Sequence, residues 1–441
     1  MKFITTQRQN RGNGSAPTLR FTSAVAAACV VLVTPGRADM VTEWNENMEA
    51  AIRAAALPVP AHGRTTATVH AAIYDAVNGI ARKYAPYHVT DAGPPGARPE
   101  AAAAQAAYTA LLALFPTQKP VLDAELAQSI SEIPGHQGNS QAIARGRAWG
   151  QAVADEIIAW RKQDGFSTPV PGYFGGGAPG IWRSIAVPGF PDGTLPAIFP
   201  QLAVLLPFAM TSHDQFRPGP PPALWSAQYA ADVNETKLLG AVNSTLRTAK
   251  QTQLALLWQA IGVNEENRVI RQVVPQENSL VDNARLFALV NIVAADTTIA
   301  GFDSKYTYNL WRPYHAIRLA NSAGNPAIIE DPTWTALVLA PRFQEYVANH
   351  AIITGGVMHA LARLLGDNHT FVLSAPGFPS FTYPFNSFSD AAAQVKEARI
   401  WGGIHFRNSC ELGGAMGQAI ADYVLDNFLL PLRDQDENRG D

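Results

Sequence analysis

The sequence predicts an all-α protein, a helical bundle, on three observations. Apolar residues recur at spacings of three and four through most of the patterned stretches, and alternating strand-like runs are scarce. The 441 residues, 47% of them apolar, can also fill a sizeable core. In chain order, residues 65–80 come first, where Val69, Ala72, Ile73, Ala76 and Val77 make one apolar face. The same periodicity runs through 101–114, 142–160, 252–261, 282–299, 306–319, 351–365 and 391–429. Residues 163–226 change texture to glycine and proline with scattered aromatics, including Gly175-Gly176-Gly177 and the prolines of 218–222. Their apolar content favours a long ordered excursion over one domain and disfavours an interdomain linker. Residues 374–389 form a second loop-like stretch, and 431–441 a polar tail that frays.

Residues 1–38 have the pattern of a signal peptide. Lys2, Arg8, Arg11 and Arg20 precede an apolar run over 24–33 and the small-residue pattern Gly36-Arg37-Ala38. The expectation is cleavage after Ala38, with 39–441 as one helical domain, secreted or periplasmic. That apolar run is short for a membrane span, and no later one is long and uncharged, so no stable span is expected after cleavage. An uncleaved N-terminal anchor is the alternative. Removing 1–38 takes away five cations (Lys2, Arg8, Arg11, Arg20, Arg37) and no anion, which moves the formal charge from -3 to -8. With 16% charged residues and that sign, no nucleic-acid partner is implied. Cys29 falls in the leader and leaves Cys410 alone, so no internal disulfide forms. Long apolar helix faces are compatible with a homodimer.

Three segments place cations or histidines beside helix punctuation. In Lys305-x6-Arg312-Pro313 the two cations lie close to two helical turns apart, on one face where they could grip one anion. A solvated basic face is the alternative, opposed by the flanking Phe302, Tyr306, Tyr308, Leu310 and Trp311. Next, Asn349 fits a helix N-cap, which puts His350 in a first turn whose free amides and dipole favour an anion; a structural histidine is the alternative. Last, in Arg399-x2-Gly402-Gly403-x-His405 a straight helix would separate the two functional side chains, and the paired glycines let the chain turn.

The order Lys-x6-Arg-Pro, a histidine opening a helix, then Arg-x3-Gly-x-His resembles the three-part signature shared by vanadium-dependent haloperoxidases and type 2 phosphatidic acid phosphatases. Residues 71–78, 216–224 and 311–318 are similar to stretches of bacterial haloperoxidases, so the likeness spans most of the chain after the leader. The resemblance implies a haloperoxidase-like helical domain with vanadate as cofactor. It makes His405 the axial ligand and has Lys305, Arg312 and Arg399 hold the equatorial oxygens, with His350 as acid-base group. The partners it implies are hydrogen peroxide and a halide or small organic acceptor, with hypohalous acid as product.

The middle motif departs from the family. Where Pro-Ser-Gly-His is usual, this chain has Val347-Ala348-Asn349-His350. Loss of the serine hydroxyl is expected to cost about 1.5 to 3 kcal/mol of anion binding, which the Asn349 amide replaces or worsens by crowding. Phe343, seven residues before His350, matches the chloroperoxidase branch. Two alternatives remain. One is a secreted acid phosphatase with His405 as nucleophile, disfavoured because Ser409 stands where an orienting aspartate is common. The other is a catalytically impaired oxyanion-binding protein. His315, His359, His369 and Cys410 are read as packing or surface residues.

Overall fold

The spacing of apolar residues resolves into thirteen α-helices and one hairpin among the described residues, which are 39–135, 137–375 and 378–432 of this computed structural model. The expected signal peptide and residues 433–441 of the expected tail lie outside the described residues. The elements are α1 (Met40–Ala54), α2 (His62–Ala81), α3 (Pro99–Leu114), α4 (Lys119–Glu132), α5 (Ser140–Arg161), α6 (Ala227–Gly240), α7 (Ala249–Ala260) and α8 (Val263–Val273). They continue with α9 (Leu280–Tyr308), α10 (Pro313–Arg318), α11 (Asn349–Leu365), β1 (Phe371–Ala375), β2 (Phe378–Phe385), α12 (Phe388–Trp401) and α13 (Arg407–Asn427).

α9 is the axis of the fold. Ser279 caps it reciprocally with Asp282, and its 29 residues pack against α2 on one side and α11 on the other. By length and composition α9 could cross a membrane, which the sequence reading did not anticipate, but its most apolar 18-residue window is wholly buried in this protein. α2, α3 and α5 form one packed group, and α11, α12 and α13 the other. Asp296, in the middle of α9, accepts from the amides of Phe208, Ala209 and Met210 at 2.7, 2.8 and 2.8 Å. It thereby anchors the glycine- and proline-rich excursion to the core helix. Just before that anchor runs a short 3-10 helix, Pro200–Val204, which also packs on α9.

Three sequence expectations are corrected. The helix expected at 306–319 is broken: Asn309 ends α9 in the left-handed region (φ 53°), and Pro313 opens α10, where its missing N–H costs nothing. The helix expected over 391–429 divides into α12 and α13 at Gly402-Gly403. Gly403 has φ +75°, and a Cβ there would meet the Gly240 carbonyl at 2.4 Å, so only glycine fits. Residues 374–389 contain most of an antiparallel hairpin, in which Phe371 pairs with Phe385 and Leu373 with Tyr383. Phe371, Leu373 and Ala375 alternate inward, while Pro384 disguises the partner strand.

Candidate functional site

Lys305 lies in the last turn of α9 with its side chain wholly buried. Its ammonium has three N–H donors, and all three are used on the loop before α11. It donates to the carbonyls of Gln344 and Glu345 at 3.0 Å each, and to that of Val347. Lys305 therefore shapes the loop and contributes charge, and it keeps no donor for a bound anion. Because α9 stops at Asn309, Lys305 and Arg312 do not share a helix face as expected. Arg312 enters from the turn at the N-cap of α10. Its Nε donates to the Phe343 carbonyl at 2.8 Å and its Nη1 to the Ile404 carbonyl at 2.9 Å, while Nη2 is buried without a partner. The Phe343 ring lies beneath both cations, 5.2 Å from Lys305 Nζ and 5.0 Å from the Arg312 guanidinium carbon.

The tautomer of His405 follows from its partners. Arg312 Nη1 lies 2.9 Å from His405 Nε2 and can only donate, so Nε2 carries the lone pair. Nδ1 then carries the proton and donates to Glu345 Oε1 at 2.9 Å, an oxygen that also accepts from the Phe406 amide at 2.9 Å. Burial, and then Arg312, Lys305, Arg399 and His350, hold the His405 imidazole well below its ordinary pKa and so neutral. Burial lifts Glu345 to about 7, against the pull of the Phe406 amide, Arg312 and Lys305. Glu345 thus fixes the imidazole with an unprotonated Nε2, the form in which a histidine bonds a metal or attacks an electrophile.

Arg399, in the last turn of α12, reaches the end of α7. It donates to the Trp258 carbonyl at 3.3 Å and to Gln259 Oε1 at 3.1 Å, and its Nε is buried without a partner. His350 is the second residue of α11, whose N-cap is Ala348 and not Asn349 as expected. No side chain caps this helix, which leaves its first-turn amides without intrahelical or side-chain partners. His350 Nε2 lies 3.0 Å from the Ile261 carbonyl, to which it must donate, so in the neutral ring Nδ1 can accept a proton. Burial first, then Arg399, keeps that ring well below its ordinary pKa. Asn349 Oδ1 has no partner and faces Gly301, where an added Cβ would lie 3.0 Å away.

His350, Asn349, Arg399, His405, Phe343 and Glu266 line one cavity of about 280 Å³. Lys305 and Arg312 stand behind its wall. Three buried cations stand against two buried carboxyls, Glu345 and Glu266, each raised to about 7 chiefly by burial, and burial depresses the pKa of all three cations. The surplus positive charge, the orphaned Arg312 Nη2 and Arg399 Nε, and the uncapped α11 together could hold an oxyanion. Vanadate fits these residues.

The comparisons bear on the same region. The family model described as VCPO second helical-bundle domain matches residues 285–432, which hold all three motifs. The curated vanadium chloroperoxidase of Curvularia inaequalis is 25% identical over 285 residues, 54% of this chain, and the match spans about half (46%) of that protein's length. A crystal structure of a bacterial vanadium-dependent iodoperoxidase superposes with a TM-score of 0.73 at 21% identity, covering 90% of this chain and 98% of that one. The holo form of a bacterial vanadium-dependent chloroperoxidase gives 0.69 at 15%, again covering 90% and 98%.

The chain has the helical fold of these vanadium-dependent haloperoxidases, and the part that holds the three motifs is similar to their second helical-bundle domain. Glu345, Gln259 and Glu266 are polar residues of this region that sequence reasoning missed. The absence of an aspartate at Ser409 was taken to leave His405 without an orienting carboxylate, and this is corrected: Glu345 supplies one from the loop before α11. The available signal was an acidic residue between the aromatic Phe343 and Tyr346, just before the apolar Val347-Ala348. Gln259 gave no such signal. The histidines read from sequence as packing or surface residues lie in contacts of their own: His315 with Asp192 at 3.2 Å, His359 with Asp422 at 2.8 Å, and His369 with the Leu365 carbonyl at 3.1 Å. Burial, and then Glu345, push the Cys410 thiol well up, away from the reactive thiolate.

Proposed function

We propose that this protein is a vanadate-dependent peroxidase that oxidises halide with hydrogen peroxide to hypohalous acid. One observation carries the reading: the buried cations Lys305, Arg312 and Arg399 surround a neutral His405 whose Nε2 lone pair Glu345 fixes. Vanadate, when bound, would supply Lewis-acid activation of hydrogen peroxide. Arg312 Nη2, Arg399 Nε and the first amides of α11 would hold its oxygens, Lys305 would contribute charge, and His405 Nε2 would be its protein ligand. His350 Nδ1 would take a proton from the incoming peroxide and return it to the departing oxygen. The apolar cavity wall with Phe343 suits a weakly hydrated halide and favours a chloroperoxidase-like pocket, in which bromide would also react.

Bromination of a phenol-red indicator by the purified chain, with peroxide and bromide and with or without orthovanadate, tests this reading. The expected result is vanadate-dependent turnover, suppressed by phosphate and lost in His405→Ala. The Glu345 to His405 pair favours a second reading, phosphoester hydrolysis with Nε2 as nucleophile. Ester hydrolysis without vanadate, in a chain that brominates nothing, would replace the first reading with the second. The cationic and apolar pattern of residues 1–38 supports export as part of the proposal.

A further inference from the structure

We propose that Glu266 is a proton-relay residue of the cavity, passing a proton from solvent to His350 in each turnover. The proposal rests on the peroxidase reading. α8 begins just after Ile261, whose carbonyl accepts from His350, and Glu266 lies in its first turn. The Glu266 side chain is 2% exposed and lines the same cavity as His350, Arg399 and His405. Its Oε1 accepts from the Thr354 hydroxyl at 2.6 Å, and Thr354 lies one turn beyond His350 on α11. Its Oε2 is buried with no protein partner. Most buried side-chain oxygens find a hydrogen-bond partner, and this one does not. Glu266 thus leaves an oxygen free at a cavity that already holds an acid-base histidine.

The surroundings keep a proton on it. No cation pairs with Glu266, and burial, reinforced by Glu265, raises it to about 7 against the Thr354 hydrogen bond. The charged and titratable groups around it are His350 of α11, Arg399 of α12 and His405, all at the cavity. Glu265 sits beside it on α8. His62 of α2 lies against Gly262, and Glu49 of α1 is held by Arg268 and Arg271 of α8. A group titrating near neutrality suits proton transfer at working pH.

The chemistry requires such a group. Halide, hydrogen peroxide and one proton give hypohalous acid and water: the O–O bond breaks, the halogen–oxygen bond forms, and the halide gives two electrons to the peroxide. His350 recycles the proton it takes from peroxide, whereas the additional proton must enter from outside. Glu266 delivers it from Oε2 towards His350 and is reprotonated from solvent.

Glu266→Gln keeps an acceptor for Thr354 and removes the proton. Infrared difference spectra of the purified chain between pH 5 and pH 9 should show a protonated-carboxyl stretch that the variant lacks. In the vanadate-loaded variant, halide turnover at pH 8 should fall about tenfold and its neutral limb in the pH profile should flatten. KM for peroxide and the vanadate Kd should stay within about twofold, which a merely structural role would not predict. Identical infrared spectra overturn the proposal, and so does an unchanged pH profile with the band lost. A wild type that shows the band and oxidises no halide overturns the peroxidase reading and the relay, while the proton remains assigned to Glu266.

Discussion

The protonation of Glu266 makes a prediction about stability that is independent of any activity. Its carboxyl is raised from an ordinary 4.5 to about 7 by burial. The native state therefore keeps a proton that the unfolded chain has released, so stability is fully present below pH 4.5 and is lost as pH rises to 7. At 1.36 kcal/mol per pH unit the loss is about 3 kcal/mol. Glutamine does not titrate, so Glu266→Gln should gain on the wild type by nearly that amount between pH 5 and pH 8. Denaturant unfolding of both proteins at the two pH values, followed by far-ultraviolet circular dichroism, gives the difference of differences. The other groups that titrate in this range, among them His350, His405 and Glu345, largely cancel in the subtraction. A gap between variant and wild type that stays constant within about 1 kcal/mol would refute the claim that Glu266 is held protonated by its burial.

Three further perturbations separate the roles of the site residues. Arg399→Ala removes an orphaned donor and a cation from the cavity, and should weaken orthovanadate binding by roughly tenfold to a hundredfold, the worth of one charged hydrogen bond; an unchanged Kd by calorimetry would remove Arg399 from the anion site. Lys305→Met strands three loop carbonyls and should cost about 3 kcal/mol or more, seen as a lowered melting temperature without anion; a variant as stable as wild type would contradict the loop-shaping role. Asn349→Ala tests whether the Asn349 amide donates to the anion. A several-fold weaker vanadate Kd is expected, and an unchanged one would show that it does not.

Most of the bundle was legible because helical periodicity depends on local spacing alone. α2, α3, α5, α7 and α11 follow the apolar pattern within a few residues at each end. α8 was missed although Val263, Val269, Ile270 and Val273 recur on one face, because the polar run Asn264 to Arg268 makes the stretch read as surface, whereas tertiary partners bury Asn264, Glu265, Glu266 and Asn267. The three site motifs could be read from order and spacing, since the turns that bring them together are marked by Pro313 and Gly403. Glu345 and Glu266 could not be assigned, because their roles depend on His405 and Thr354, which lie 60 and 88 residues away in sequence. The Lys305 ammonium was expected to grip the anion, and only the path of the 344–347 loop reveals that its donors are already taken.

The altered middle motif leads to a different conclusion once the backbone is known. A serine hydroxyl missing at Ala348 was expected to cost anion affinity, on the assumption that position 348 faces the anion. Ala348 is instead the N-cap of α11, wholly buried in a small apolar cluster with Ala351, Ile400 and Cys410. Ala351 is the third residue of the helix, and its amide is the usual target of an N-cap hydroxyl. In Ala348→Ser the new hydroxyl should therefore cap α11 at the Ala351 amide and stabilise the protein by about 1 kcal/mol, leaving the Asn349 and His350 amides for the anion and the vanadate Kd unchanged within about threefold. If the serine instead tightens vanadate tenfold or more, position 348 does reach the anion, and the donor set assigned to Arg312, Arg399 and the α11 amides is incomplete.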